Sequence, residues 1–217
     1  MMVEQKESLE KMYQLCELVA NTGGVKEKLD LGDEIGFDAI LKLDMLCFLA
    51  YLAASDGVIS WKESRYIGEL FDLHMTPDKL NNLIIEKDIY STEFEQRTPM
   101  MMQIFVAFDN AIYNSPAAAE FEEELGDGLM KLYLILAKGL IESNDRTTDD
   151  MDENEEKDLK LYLSMLQNYI DENTERHHTD IITGYEKKQN SKESGGVTAP
   201  KKDQKSSGSV KAPIKKM

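Results

Sequence analysis

Asp56 stands seven residues before Glu63, with Gly57 beside it and the apolar run FLAYLAA just ahead. One carboxylate at the end of a helix and another in the first turn of the next can converge on a hard divalent cation, which prefers oxygen donors. The same residues also have structural uses. Asp56 can stabilise the turn, and Ser60-x-x-Glu63 has the spacing of a capping box, in which each side chain satisfies the other's backbone N–H. Two further acids have apolar neighbours: Asp44 in LKLDMLCFLAYLA and Asp109 in MMQIFVAFDNAIYN. A carboxylate on such a helix is costly to bury unless it is paired, hydrogen-bonded or metal-bound. The commoner arrangement is a narrow solvent-facing stripe. Asp44 lies roughly 18 Å along a straight helix from Asp56, so these two cannot share an ion.

A second acidic stretch, NDRTTDDMDENEE, runs from Asn144 to Glu156. Counted from Asp145, the residues Asp145, Thr147, Asp149, Met151, Glu153 and Glu156 fall at positions 1, 3, 5, 7, 9 and 12 of a calcium loop of the EF-hand type. Position 6 holds Asp150 where the sharp turn calls for Gly. A solvated acidic linker is the competing reading.

Nucleophile-and-base sets are missing from the sequence. His74, His177 and His178 have no nearby Cys, Ser or Asp arranged for catalysis. His74 falls on an apolar helical face and is expected to pack; His177 and His178 follow an acidic helix end, where cations suit the dipole. There is no Gly-rich phosphate loop, no HExxH and no GxSxG. Met100, Met101, Met102 and Trp61 are expected to be buried at helix entries or in the core; for Trp61, next to the cap Ser60, partial exposure that serves partner binding is the alternative. Enzymatic activity is therefore not expected.

The elements that position these residues are helical nearly throughout. Thr76-Pro77, Thr98-Pro99 and Ser115-Pro116 place a capping hydroxyl before a proline suited to the first helical position. Apolar residues between these starts follow the helical period, as in Ile67, Leu70 and Phe71, or Leu159, Tyr162, Leu163 and Leu166. The fold expected is an all-α compact bundle of about seven to nine helices, starting near Glu4, Phe37, Ser60, Thr76, Thr98, Ser115, Asp127 and Asp152. No alternating strand pattern is present. Gly57 is expected at the C′ position that ends the apolar helix, with positive φ.

The chain has 217 residues and a formal charge of −16, unevenly distributed. From Thr183 onward nine Lys face three acids, so the first 182 residues carry −22. Such a surface repels nucleic acid and suits cations or basic partners. Residues 1–184 are expected to fold as one domain. Residues 185–217 are rich in Lys, Ser and Gly and are expected to be disordered, either a solubilising tail or a tether for anionic membrane or an acidic partner. No apolar run approaches the roughly 20 residues that span a bilayer, and the start MMVEQKESLEKMYQ lacks the apolar core of an export signal. Cys16 and Cys47, in apolar helical text, are expected to be reduced core thiols of a cytoplasmic protein.

The hairpins around the two acidic turns look related. Aligning Ser60 with Asp152 pairs Glu63 with Glu155, Ile67 with Leu159 and His74 with Leu166. The segment FLAYLAASDGVISWKESRYIGELF, with Ala53-Ala54, Asp56-Gly57, Val58-Ile59 and Glu63, resembles the TerB-like family named for a tellurite-resistance protein. That resemblance implies an all-helical, internally duplicated, cytoplasmic module with metal-binding acids and a role in stress-response assemblies. Carried over, it singles out Asp56 and Glu63, with Asp145 and Glu155 in the second half, as ligands for a divalent cation (Ca, Mg, Mn or Zn). The second half departs, its turn being longer and without Asp-Gly. The expectation is a non-enzymatic helical module binding a divalent cation, a protein partner, or both. The alternatives are a calcium-responsive switch at 145–156 and a purely structural scaffold.

Overall fold

A computed structural model describes residues 2–22, 36–90, 97–113, 121, 123–144 and 153–174. The Ser115-Pro116 start, Asp145, Asp152, His177, His178 and the basic tail lie outside them. The described residues form seven helices and no strand, as the periodicity predicts. They are α1 (Met2–Asn21), α2 (Phe37–Ala53), α3 (Trp61–Phe71), α4 (Pro77–Lys87), α5 (Met100–Ile112), α6 (Leu125–Ser143) and α7 (Glu153–Asn173).

Helix α2 is the centre of the bundle. Every residue from Cys47 to Ala53 is buried, and the helix packs against all six others. Apolar text on all sides of a helix means burial on all sides, which here takes a surround of six. Helix α6 is the second axis, touching α1, α2, α3, α5 and α7. Between them lies an aromatic cluster. Phe48 meets the Tyr133 ring edge-on at 4.8 Å between centroids, and Tyr162 at the same distance. In this apolar setting burial pushes the hydroxyls of Tyr133 and Tyr162 well above the ordinary range.

The two hairpins that look related pack crosswise, α3 against α6 and α7 against α2. Glu63 and Glu155, aligned by the capping pattern, are both 3% exposed, and Ile67 and Leu159 are both in the core. His74 and Leu166 part company. Helix α3 stops at Phe71 because Asp72 adopts the left-handed conformation (φ 52°), while α7 continues through Leu166. His74 is thus exposed in a turn, not packed on a helix face as its spacing suggested. Gly68 permits that turn: its carbonyl accepts from Leu73 N at 2.8 Å, and a Cβ there would stand 2.7 Å from the Leu73 oxygen.

The starts of α3 and α4 follow local capping rules. Ser60 makes the full capping box with Glu63, and Thr76 accepts from Lys79 N ahead of Pro77. Helix α5 does not. Pro99 itself occupies the cap position, without a side-chain acceptor, and Thr98 makes no cap. The acceptor comes from α2 instead, with Asp44 Oδ2 2.8 Å from Met101 N. Helix α6 begins at Leu125, two residues before the expected start, and its first amides donate to Asp109 of α5, Leu125 N at 3.1 Å and Gly126 N at 3.0 Å. Neither acid points freely to solvent: Asp109 is buried and Asp44 half-buried. Both are helix caps supplied from a neighbouring helix, where the dipole and orphan amides favour negative charge.

Candidate functional site

The turn at Asp56 grows out of the end of α2. Ala54 caps that helix, and the chain turns so that Gly57 N donates to Ala54 O at 2.9 Å. Gly57 has φ 84°, as expected of its type, but it sits three residues past the cap and not at C′. Asp56 is exposed, and its Oδ1 accepts from Val58 N at 2.9 Å, the local turn that Asp favours. Ile59 then anchors the strap to the core while Val58 remains 69% exposed.

Glu63 is held by two residues, Ser60 and Asn144. Its Oε2 accepts from Ser60 N at 2.7 Å and its Oε1 from Asn144 Nδ2 at 2.7 Å. Ser60 Oγ accepts from Glu63 N at 3.1 Å and donates to Asn144 Oδ1 at 3.0 Å. The ring Ser60–Glu63–Asn144 ties the start of α3 to the end of α6, where Asn144 is the cap residue. Every member gives and receives, which is the condition for a buried carboxylate to be tolerated. Asn144 is the member that local spacing does not reveal.

The sequence-predicted ligands therefore have separate surroundings. Asp56 is exposed on the turn, Glu63 is enclosed in the ring, Glu155 is buried in the first turn of α7, and Asp145 lies outside the described residues. Glu156, which would close a calcium loop, pairs with Lys160 at 2.8 Å. Among the described residues no group of three or more His, Cys, Asp or Glu is gathered to hold a metal ion.

No protein-family model, no curated protein and no solved structure matches the chain.

The two thiols are buried, as their apolar context predicts. Burial, with the field of Asp38, pushes Cys16 up to about 12; burial and Asp44 push Cys47 up to about 11. Neither is a thiolate at neutral pH, and the thiolate is the nucleophilic form. Met101 and Met102 are in the core and Met100 is half-buried against it, in line with expectation. Trp61 is not. It is 71% exposed at the first position of α3. The signal was present in the spacing. Trp61, Arg65 and Glu69 follow one another at four-residue steps on the charged face, while Ile67, Leu70 and Phe71 take the core face. Arg65 and Glu69 form an ion pair at 2.6 Å along that face.

No helix among the described residues is long and apolar enough to cross a membrane.

Proposed function

We propose that this chain is a non-enzymatic helical docking module, of the TerB-like kind that its Asp-Gly turn resembles, which holds a protein partner on the outer face of α3. The observation that carries this reading is the exposure of Trp61, the chain's single tryptophan, on a helix whose start is locked by the Ser60–Glu63–Asn144 ring. Tryptophan is enriched among residues that dominate binding energy, and leaving one in water on a rigid element costs hydrophobic free energy that a partner would recover. The acidic turn serves as the scaffold of that face. A stress-response setting enters through the family resemblance alone, and a divalent cation through that resemblance and the placement of Asp56 and Glu63.

A photo-crosslinking amino acid placed at position 61, with a matched control at the exposed Leu161 on α7, tests the reading in cells of the source. A discrete crosslinked partner from position 61, absent from position 161, is the expected result. Equal patterns from both positions, or none from position 61, would sink it.

A further inference from the structure

Beside Trp61, the outer face of α3 and the turn after it form a shallow cleft of about 670 Å³, lined by Trp61, Leu73 and Met75 together with the Arg65–Glu69 ion pair, Asp72 and His74. Trp61 and Leu73 are exposed apolar walls. Asp72 also lines a neighbouring cavity of about 710 Å³ between α1, the start of α2 and the end of α3, so the two depressions adjoin.

The second cavity has a different chemistry. Its rim carries Glu10, Glu17 and Asp38, all exposed, around Tyr13 and Phe37. Among the described residues these three carboxylates form no ion pair. Two cations are nearby: Lys42 lines the cavity and keeps its charge while donating to the Phe71 carbonyl at 3.1 Å, and Lys6 is paired with Asp72 at 2.9 Å. Tyr13 registers the resulting field: burial first, then the charges of Cys16, Asp38, Glu10 and Asp72, push its hydroxyl up to about 12. A cleft with apolar walls thus runs into a cavity where, among the described residues, carboxylates outnumber cations.

We infer that this face, from Trp61 across Asp72 to Glu10 and Glu17, is a docking track for a partner segment in which lysine or arginine alternates with apolar side chains. The inference rests on the docking-module reading and adds the partner's chemistry. Apolar side chains of the segment fill the cleft against Trp61, Leu73 and Met75. Its cations reach Glu10, Glu17 and Asp38, and one can stack on the Trp61 ring, the aromatic face that attracts cations best. Charge complementarity of this kind mainly sets specificity and association rate.

The test uses the full-length chain and a fluorescein-labelled dodecapeptide of alternating lysine and leucine, followed by anisotropy. Comparison peptides replace lysine with glutamate, or leucine with serine. The lysine–leucine peptide should bind saturably and shift Trp61 emission to the blue, whereas the glutamate–leucine peptide should not bind. Trp61→Ala should weaken binding about ten-fold or more, the effect of truncating an interface anchor. Glu10→Gln with Glu17→Gln should weaken it several-fold at low salt and less as salt rises. The control pair Glu86→Gln with Glu172→Gln removes the same charge from exposed sites on α4 and α7 and should leave affinity unchanged. Equal weakening by both pairs, or equal binding of the lysine and glutamate peptides, overturns the inference. If position 61 still crosslinks a discrete partner in cells, the docking-module reading survives that result, and the partner is not basic.

Discussion

Replacing Asp44 by Asn and by Ala should change stability by different amounts, and the split follows from its place in the bundle. Burial raises its carboxyl pKa to about 6 from 3.8, against the opposing hydrogen bonds from the amides of Met101 and Met100 and the charge of Arg97. A shift of about two units is worth roughly 3 kcal/mol. Because the folded pKa is raised, the folded chain holds this proton more tightly than the unfolded chain does. The associated stability is fully present below pH 3.8, falls as pH rises through about 6, and is constant above that. Asn cannot ionise but keeps one acceptor for Met101 N. Losing the second acceptor costs about 1 kcal/mol, so at pH 7 the Asn variant should stand roughly 1–2 kcal/mol above the wild type. Near pH 4 that advantage should vanish or reverse. The Ala variant leaves an orphan amide at the start of α5 and should lie about 1–2 kcal/mol below the Asn variant at every pH. Urea denaturation of the three proteins from pH 4 to pH 7.5, with m-values compared, measures the difference profiles. If Asn is less stable than the wild type at pH 7 and the difference does not change with pH, attraction between the carboxylate and the α5 amides outweighs burial, and the reasoning is refuted.

Asp109→Ala should cost about 2–4 kcal/mol, since two buried amides of α6 lose a charged acceptor at once; a chemical-denaturation loss under 1 kcal/mol would mean that water replaces the carboxylate. In a double-mutant cycle, Glu63→Gln and Asn144→Ala should show a coupling of about 1 kcal/mol or more, and additive losses would deny the ring its role. Gly68→Ala should lower the melting temperature by several degrees, because its Cβ would meet the Leu73 carbonyl at 2.7 Å; an unchanged midpoint would show that the turn relaxes freely. Titrating chelated protein with Ca²⁺, Mg²⁺, Mn²⁺ and Zn²⁺ at 0.15 M salt should give no ion-selective rise in midpoint. A saturable rise for one ion, lost in Asp56→Asn, would restore the cation reading of the turn.

The helical class was legible because the apolar period recurs in segments such as α3 and α7, and the caps at Ser60 and Thr76 because donor and acceptor lie within three residues of each other. Asp44 and Asp109 were legible only as anomalies. Their partners are 57 and 16 residues away, and no local spacing encodes which helix start will come to rest beside them. Asn144, 81 residues from Glu63, escaped for the same reason. His74 was misplaced because Asp72 ends α3 in a conformation that usually calls for Gly or Asn, so no stop signal stood in the text. Trp61 was a failure of weighting. Residue type argued for burial, while position relative to Arg65 and Glu69 argued for exposure, and the helix face decided.

What the acids do depends on where they fall, which changes the meaning of the chain's charge. Three carboxylates in apolar or half-buried text, Asp44, Asp109 and Glu63, are consumed inside the bundle as acceptors for helix starts, and each links two helices. These contribute to the net charge but not to an outward-facing binding surface. Among the described residues Glu10, Glu17 and Asp38 form no ion pair, and they share one rim. A folded protein gains nothing in stability from unpaired like charges at close quarters, since their mutual repulsion favours the expanded chain. Of the two groups, only the rim presents charge that a partner can neutralise, and it adjoins the exposed tryptophan through Asp72. Partner association at this face should therefore slow as salt rises toward 0.15 M, where the screening length falls to about 8 Å, while contacts to Trp61 should persist in the dissociation rate.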